Sequence, residues 1–294
     1  MKYTVKDLRS DFPDDAACLK WLVEWLYPDG IRCVSCEEIT KHYPIKGRKV
    51  FSCGRCGHQV SPTAGTIFHK SRTPLTDWFY AIYLMSTSKS GIPATAIQRQ
   101  LGVTYKTAWR MGHQIRKMMD APDGLLNGEV EVDETYVHAN VHKRSSAKRR
   151  YGRTGQRAGE IVFGMVQRGG GVKVWHVRST GVRVLQPIIR QNVKYGTLIH
   201  SDGHKSYTTL PRSGYEHRTT NHATGQYYTE DSYTQNIENV WSHFKRGIKG
   251  VYRHIGHDYV QAYANEFAWR YSNRNSWNMF WKLLCSVDKI PSMK

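Results

Sequence analysis

The sequence predicts an α/β protein: a mixed sheet with flanking helices, preceded by a cysteine-knuckled ribbon and a helix-turn-helix. Three observations predict it. Two CxxC pairs stand near the N-terminus, and two helix-patterned stretches with a glycine turn between them follow. After Ala121-Pro-Asp-Gly124 the patterning changes abruptly from helical to strand-like. The boundaries that follow are a helical segment over 1–30, a ribbon over 31–70, a helix-turn-helix region over 71–120 and an α/β domain over 125–285.

Asp14–Tyr27 spaces its apolar residues at helical intervals behind an acidic start and ends at Pro28 and Gly30. The next segment, Ile31–Thr66, is rich in Cys, Gly and turns and too poor in apolar residues to hold a core unaided. Cys33-x2-Cys36 and Cys53-x2-Cys56 lie sixteen residues apart, so two knuckles can offer four thiolates to one tetrahedral zinc ion. Four thiolates leave no open position, which makes that zinc structural. Cys18 and Cys285 stand outside the pattern, and His42, His58 and His69 are left out of the ligand set.

Three helical stretches fill Pro74–Met119. The last two, Pro93–Gly102 and Val103–Lys117, have helix-turn-helix grammar, with Ala96, Ile97, Leu101, Val103, Ala108, Trp109 and Ile115 as the packed seam. Tyr105, Lys106, Thr107 and Arg110 then occupy the exposed N-terminal part of the second helix, where base-edge contacts would be made. Arg116 and Lys117 face phosphate or solvent. A plain helical hairpin would use the same residues.

The remaining order is strand (Glu129–Val137), strand (Ile161–Gln167), strand (Val172–Arg178), helix (Val182–Gln191), strand (Thr197–Ser201), a strand near Tyr215–Thr219, and helices from Tyr233 onward. Alternation in the first strand sends Val130 and Val132 to one face and Glu129, Glu131 and Asp133 to the other. Asp202 ends an apolar strand just before Gly203, a common place for a site residue in an α/β sheet. In the helix around Gln235–Lys249, Glu238 and Lys245 stand seven apart and flank the apolar stripe. Three carboxylates from two strands and a helix can hold two Mg²⁺ ions, with Mn²⁺ as an alternative. Glu131 and Glu134 flank the first aspartate, either assisting it directly or as solvated groups or groups that support the ligands from behind. Between the first two strands lies a basic, glycine-containing loop. Aromatics over Tyr259–Trp281 recur helically, as a helix core does.

Lys and Arg number 43 against 24 Asp and Glu, a net +19 that attracts a phosphate backbone. No long apolar run or apolar leader is present, so the sequence predicts a cytoplasmic, nucleoid-associated protein with no membrane partner.

Taken together, the CxxC pairs, Leu101–Arg110, Val130–Glu134, His200-Ser-Asp-Gly203 and Ile237–Gly247 with Tyr252 resemble the DDE transposases of prokaryotic insertion sequences. Thirty-five residues separate Asp202 from Glu238, close to that family's spacing, and the resemblance covers nearly the whole chain. It implies an RNase H-like catalytic domain behind a zinc ribbon. Asp133, Asp202 and Glu238 would be its metal ligands and Lys245 a contact to DNA near the cut. Related members often place Asn near the third position, which makes Asn236 or Asn239 a further candidate there. The implied partners are double-stranded DNA, both terminal inverted repeats and target, and a second copy of the chain, giving a homodimer or larger assembly on DNA. The implied reaction is 3′-end cleavage followed by strand transfer. A metal-dependent nuclease without joining activity and an inactive DNA-binding regulator are the alternatives.

Overall fold

The computed structural model describes residues 3–119, 121–137, 159–220 and 234–287. They form two compact units, one of residues 3–88, 94–118 and 276–287, the other of described residues within 89–93 and 119–275.

The first unit opens with a helix absent from the sequence reading, α1 (Val5–Asp11), nucleated by a reciprocal Thr4–Asp7 capping box. Helix α2 (Asp15–Leu26) starts at Asp14, whose carboxylate accepts the Ala17 N–H at 2.8 Å. Three short antiparallel strands follow, β1 (His42–Pro44), β2 (Phe51–Cys53) and β3 (Gln59–Val60). Helix α3 (Leu75–Thr87) buries Trp78, Phe79, Ile82 and Met85 completely and so forms the centre of this unit.

Helices α4 (Ala94–Leu101) and α5 (Tyr105–Arg116) are joined by a tight turn in which Gly102 takes φ +65°, a conformation open to glycine. The Thr104 hydroxyl caps α5 by accepting the Thr107 N–H at 3.2 Å. Ile97, Ala108 and Ile115 are buried as the seam requires, while Ala96, Leu101, Val103 and Trp109 are half-buried and Met111 takes the central place. Arg116 corrects the sequence reading. It is only 4% exposed, because Gly112 on the preceding turn leaves room for its guanidinium, which lies 3.2 Å from where a Cβ would stand.

The second unit is built on β4 (Glu129–Val137), β5 (Glu160–Gln167), β6 (Val172–Val177), α6 (Val182–Asn192), β7 (Leu198–Asp202), β8 (Glu216–Thr220), α7 (Gln235–Gly247) and α8 (Val260–Ser272). The sheet order is β6-β5-β4-β7-β8, antiparallel through the first three strands and parallel from β4 through β7 to β8. This is the RNase H-like mixed sheet with flanking helices. Val130, Val132, Ile199, Leu185 and Ile189 pack on the α6 face. Val137, Val162, Val166, Ile237, Trp241, Phe244 and Phe267 pack on the α7–α8 face, and Tyr263 and Phe267 are core aromatics as their spacing predicts.

The last helix, α9 (Met279–Leu284), belongs to the first unit, where Phe280 stacks on Tyr3 at 4.8 Å between ring centroids. Among the described residues no helix is long and apolar enough to cross a membrane. The basic loop from Lys143 to Arg157 lies outside the described residues.

Candidate active site

Strand β4 separates its side chains as alternation demands. Val130 and Val132 enter the α6-side core, whereas Glu131 and Asp133 reach toward α7. Parallel pairing sets Glu131 opposite His200, so two residues further along each strand Asp133 and Asp202 arrive side by side. Their charges repel, and among the described residues no Lys or Arg stands within ion-pair distance of either. Burial, with added repulsion from Glu134 and Asp202, raises the Asp133 carboxyl to about 7, against the pull of the Glu134 backbone N–H and the Trp241 indole. The indole N–H donates to Asp133 Oδ2 at 3.0 Å and fixes that carboxylate. Asp202 Oδ1 accepts the His204 N–H at 3.1 Å.

Gly164 makes this approach possible. It pairs with Asp133 across β4–β5, and a Cβ there would stand 2.5 Å from the Trp241 ring.

Glu131 and Glu134 are not solvated. The Glu131 carboxylate is fully buried and accepts the N–H groups of Asn236 and Ile237 at 2.8 and 3.1 Å, the Asn236 amide at 2.8 Å and Arg168 Nε at 3.0 Å. Thr234 makes no side-chain cap on α7, so a strand carboxylate caps the helix in its place. Glu134 projects to the opposite face, where the Tyr207 hydroxyl donates to it and His204 Nδ1 lies 3.7 Å away. Burial pushes its carboxyl up, against the pull of Tyr207 and His204.

Glu238 sits in the first turn of α7, exposed, accepting the Thr234 hydroxyl at 3.0 Å. It lies one turn before Trp241, whose indole holds Asp133. Among the described residues, Asp133, Asp202 and Glu238 do not form a group whose ligand atoms all lie within 4.8 Å of one another. Lys245 is exposed two turns further on. Asn236 is committed elsewhere, donating to Glu131 and accepting the Tyr271 hydroxyl at 3.3 Å, while Asn239 is exposed. His200 is buried, 3.1 Å from Glu129.

In the ribbon, the sulfurs of Cys33, Cys36, Cys53 and Cys56 all lie within 4.8 Å of one another, with Cys33–Cys56 at 3.5 Å and Cys36–Cys53 at 3.9 Å. Zinc–sulfur bonds of about 2.3 Å set tetrahedral edges near 3.8 Å, so the four thiols fit a structural zinc. Each knuckle closes the same way: Glu37 N–H bonds Cys33 O and Gly57 N–H bonds Cys53 O, with φ +59° and +75°. Hydrogen bonds from the Thr40 hydroxyl and the Cys56 and Arg55 N–H groups lower the Cys53 thiol, whereas hydrogen bonding with Cys56, Cys33 and Cys53 pushes the Cys36 thiol up.

Of the four helix-turn-helix candidates, Tyr105 and Lys106 are exposed at the start of α5. Thr107 is tied to Thr104, and Arg110, though exposed, donates to the His69 carbonyl at 3.1 Å.

The Asp133 environment carries a pH dependence whose sign is fixed. Its folded pKa lies above the unfolded carboxylate value near 3.8, so its contribution to stability is greatest below that value and is lost as pH rises through about 7. In Mg²⁺-free buffer with the ribbon zinc retained, Asp133→Asn is expected to be more stable than wild type at pH 8 by roughly 2–4 kcal/mol. The gain fades at pH 4. Denaturant titrations at both pH values measure it, and parallel curves for the two proteins would show that burial does not disfavour the Asp133 carboxylate.

Residues 125–272 match the family model described as the ISXO2-like transposase domain, and residues 13–59 match the transposase zinc-ribbon domain. A protein of the transposable element ISH50 in Halobacterium salinarum is 23% identical over 271 residues, covering 88% of this chain and 91% of its own length. A transposase-like protein of Haemophilus influenzae is 33% identical over 89 residues, 30% of this chain and 71% of that one. Among solved structures, the simian T-cell lymphotropic virus intasome in complex with the PP2A regulatory subunit B56 gamma aligns over 65% of this chain and 67% of the matched one. Its identity is 14% and its TM-score 0.31.

Proposed function

Because the chain belongs to the ISXO2-like transposase family, we propose that it cuts DNA at the terminal inverted repeats of an insertion sequence and joins the freed 3′ ends to target DNA. One site built on Asp133, Asp202 and Glu238 would serve both steps. The observation that carries this reading is the pair of neighbouring aspartates on adjacent strands, with no cationic partner among the described residues, in a chain of net charge +19. Such a pair of hard oxygen donors suits divalent cations.

Two Mg²⁺ ions, when bound, supply Lewis acidity to the attacking and leaving oxygens of an in-line displacement. The chain's own residues then have distinct tasks. Asp133 and Asp202 hold the ions and Trp241 fixes the orientation of Asp133. Thr234 orients Glu238, the third ligand. Lys245 binds phosphate beside the cut. Tyr105 and Lys106 enter the groove at the inverted repeat, with Thr107 and Arg110 following as the helix docks. Synapsis of two ends brings at least two copies together on DNA.

The test is cleavage of a labelled element end in Mg²⁺. Asp133→Asn, Asp202→Asn and Glu238→Gln are each expected to lose about 10²–10³-fold in rate, the scale of removing one group that stabilises developing charge. End binding should be unchanged. Wild-type cleavage by Glu238→Gln would remove it from the site.

A further inference from the structure

Away from the carboxylates discussed so far, three metal-ligating side chains from three segments of the second unit converge on one point. Glu160 opens β5, His176 lies on the neighbouring β6, and His257 opens the short 3-10 turn His257–Tyr259 that leads into α8. Glu160 Oε2 is 2.9 Å from His176 Nε2, and Glu160 Oε1 is 2.9 Å from His257 Nδ1. The two imidazoles face each other edge to face at 5.1 Å, and the three donor atoms all lie within 4.8 Å of one another.

We infer that Glu160, His176 and His257 form a second transition-metal site, a His₂Glu centre for a borderline divalent cation such as Zn²⁺. The donor set is the first ground: imidazole nitrogen with one carboxylate suits zinc and its neighbours in the first transition row, whereas Mg²⁺ takes oxygen. Bonds of about 2.0–2.2 Å put neighbouring tetrahedral donors about 3.3–3.5 Å apart. Small side-chain rotations from the present distances reach that spacing. Three protein ligands leave a fourth position for water, and the side chains of Glu160, His176 and His257 keep 21%, 20% and 45% exposure, so the site is reachable from solvent.

The framework around the ligands is held independently of any ion. Gln261, in the first turn of α8, accepts the His176 N–H at 2.6 Å and donates to Val174 O at 2.9 Å and Asn265 Oδ1 at 2.6 Å, fixing β6 against the helix that follows His257. A cation here clips the end of the β5–β6 pair to the start of α8. The site is built from the second unit alone, whereas the ribbon thiolates belong to the first, and it is separate from the aspartate pair: Glu160 pairs with Val137, four residues beyond Asp133 along β4.

The test uses the full chain with its ribbon zinc bound and excess Mg²⁺ present, equilibrated with Zn²⁺ and then dialysed. Elemental analysis is expected to find one more zinc per chain in wild type than in His257→Ala and in Glu160→Gln, with a zinc-dependent rise in melting temperature that both variants lack. His257 is the most exposed of the three, which limits any folding defect, and unchanged ribbon zinc verifies that the variants are intact. Asp202→Asn should keep the additional zinc. Equal zinc content in wild type and both variants would overturn the site and leave the three side chains as a hydrogen-bonded cluster. So would an additional zinc that disappears with Asp202→Asn but survives His257→Ala.

Discussion

Cys53→Ser, or stripping the zinc with a strong chelator, is expected to unfold the ribbon and leave the sheet of the second unit standing. Three strands of two or three residues each bury too little to fold unaided. What remains is the metal, whose binding supplies an apparent 10–16 kcal/mol or so in small zinc modules and is there identical with folding free energy. The amides that close the knuckles report it directly. Cys33 N–H bonds Glu38 O at 2.9 Å and Cys53 N–H bonds His58 O at 2.8 Å. Both should be protected from exchange in the zinc form and exchange at near-random-coil rates without it, while β4 and β5 amides stay protected. Retained knuckle protection after complete zinc loss would mean that packing on the rest of the unit, rather than the ion, holds the ribbon.

Glu131→Ala carries the next largest effect. Removing this carboxylate orphans two backbone N–H groups at the start of α7, frees the Asn236 amide and strips Arg168 of its buried partner. Loss of one partner of a buried charged network costs about 3–5 kcal/mol. Glu131→Gln keeps an acceptor and should lose less, about 1–2 kcal/mol. The consequence reaches the candidate site, because Glu238 lies on the turn that Glu131 anchors. We expect cleavage by the alanine variant to fall even at a temperature where it is folded, with a weaker response to Mg²⁺. Denaturation monitored through Trp241 separates the two effects. A stability loss below about 1 kcal/mol would contradict the anchoring role.

These two cases mark what the sequence reveals and what it hides. The zinc ligands were legible because both pairs are local: each knuckle is closed by hydrogen bonds within a few residues. Strand β4 has the ends its β-type patterning predicts, and the period-two alternation of side-chain direction assigns Asp133 its face, although helices cover both faces of the strand and its burial does not alternate. Helix α7 is legible in its apolar stripe, whereas its continuation as a π turn through Tyr252 leaves no mark in that stripe.

What stayed hidden depends on distant partners. Glu131 looks like any strand carboxylate until Asn236, 105 positions later, lies against it, and Glu134 meets Tyr207 across 73 positions. Arg116 reads as a surface cation unless Gly112 is seen to make room for it. Helix α1 is seven residues long, too short for periodicity to register, and it is secured by a cap and by the stacking of Tyr3 on Phe280. Glu160, His176 and His257 are scattered over nearly a hundred positions and come together only through strand pairing and the turn into α8.

Joining of DNA, as proposed above, depends on the aspartate pair. A pre-cleaved element end with a free 3′-hydroxyl, incubated with target plasmid and Mg²⁺, isolates that step from end cleavage. Wild type is predicted to produce joined molecules and Asp202→Asn none, although it binds the same end equally well. Joining by Asp202→Asn at the wild-type rate would contradict the account.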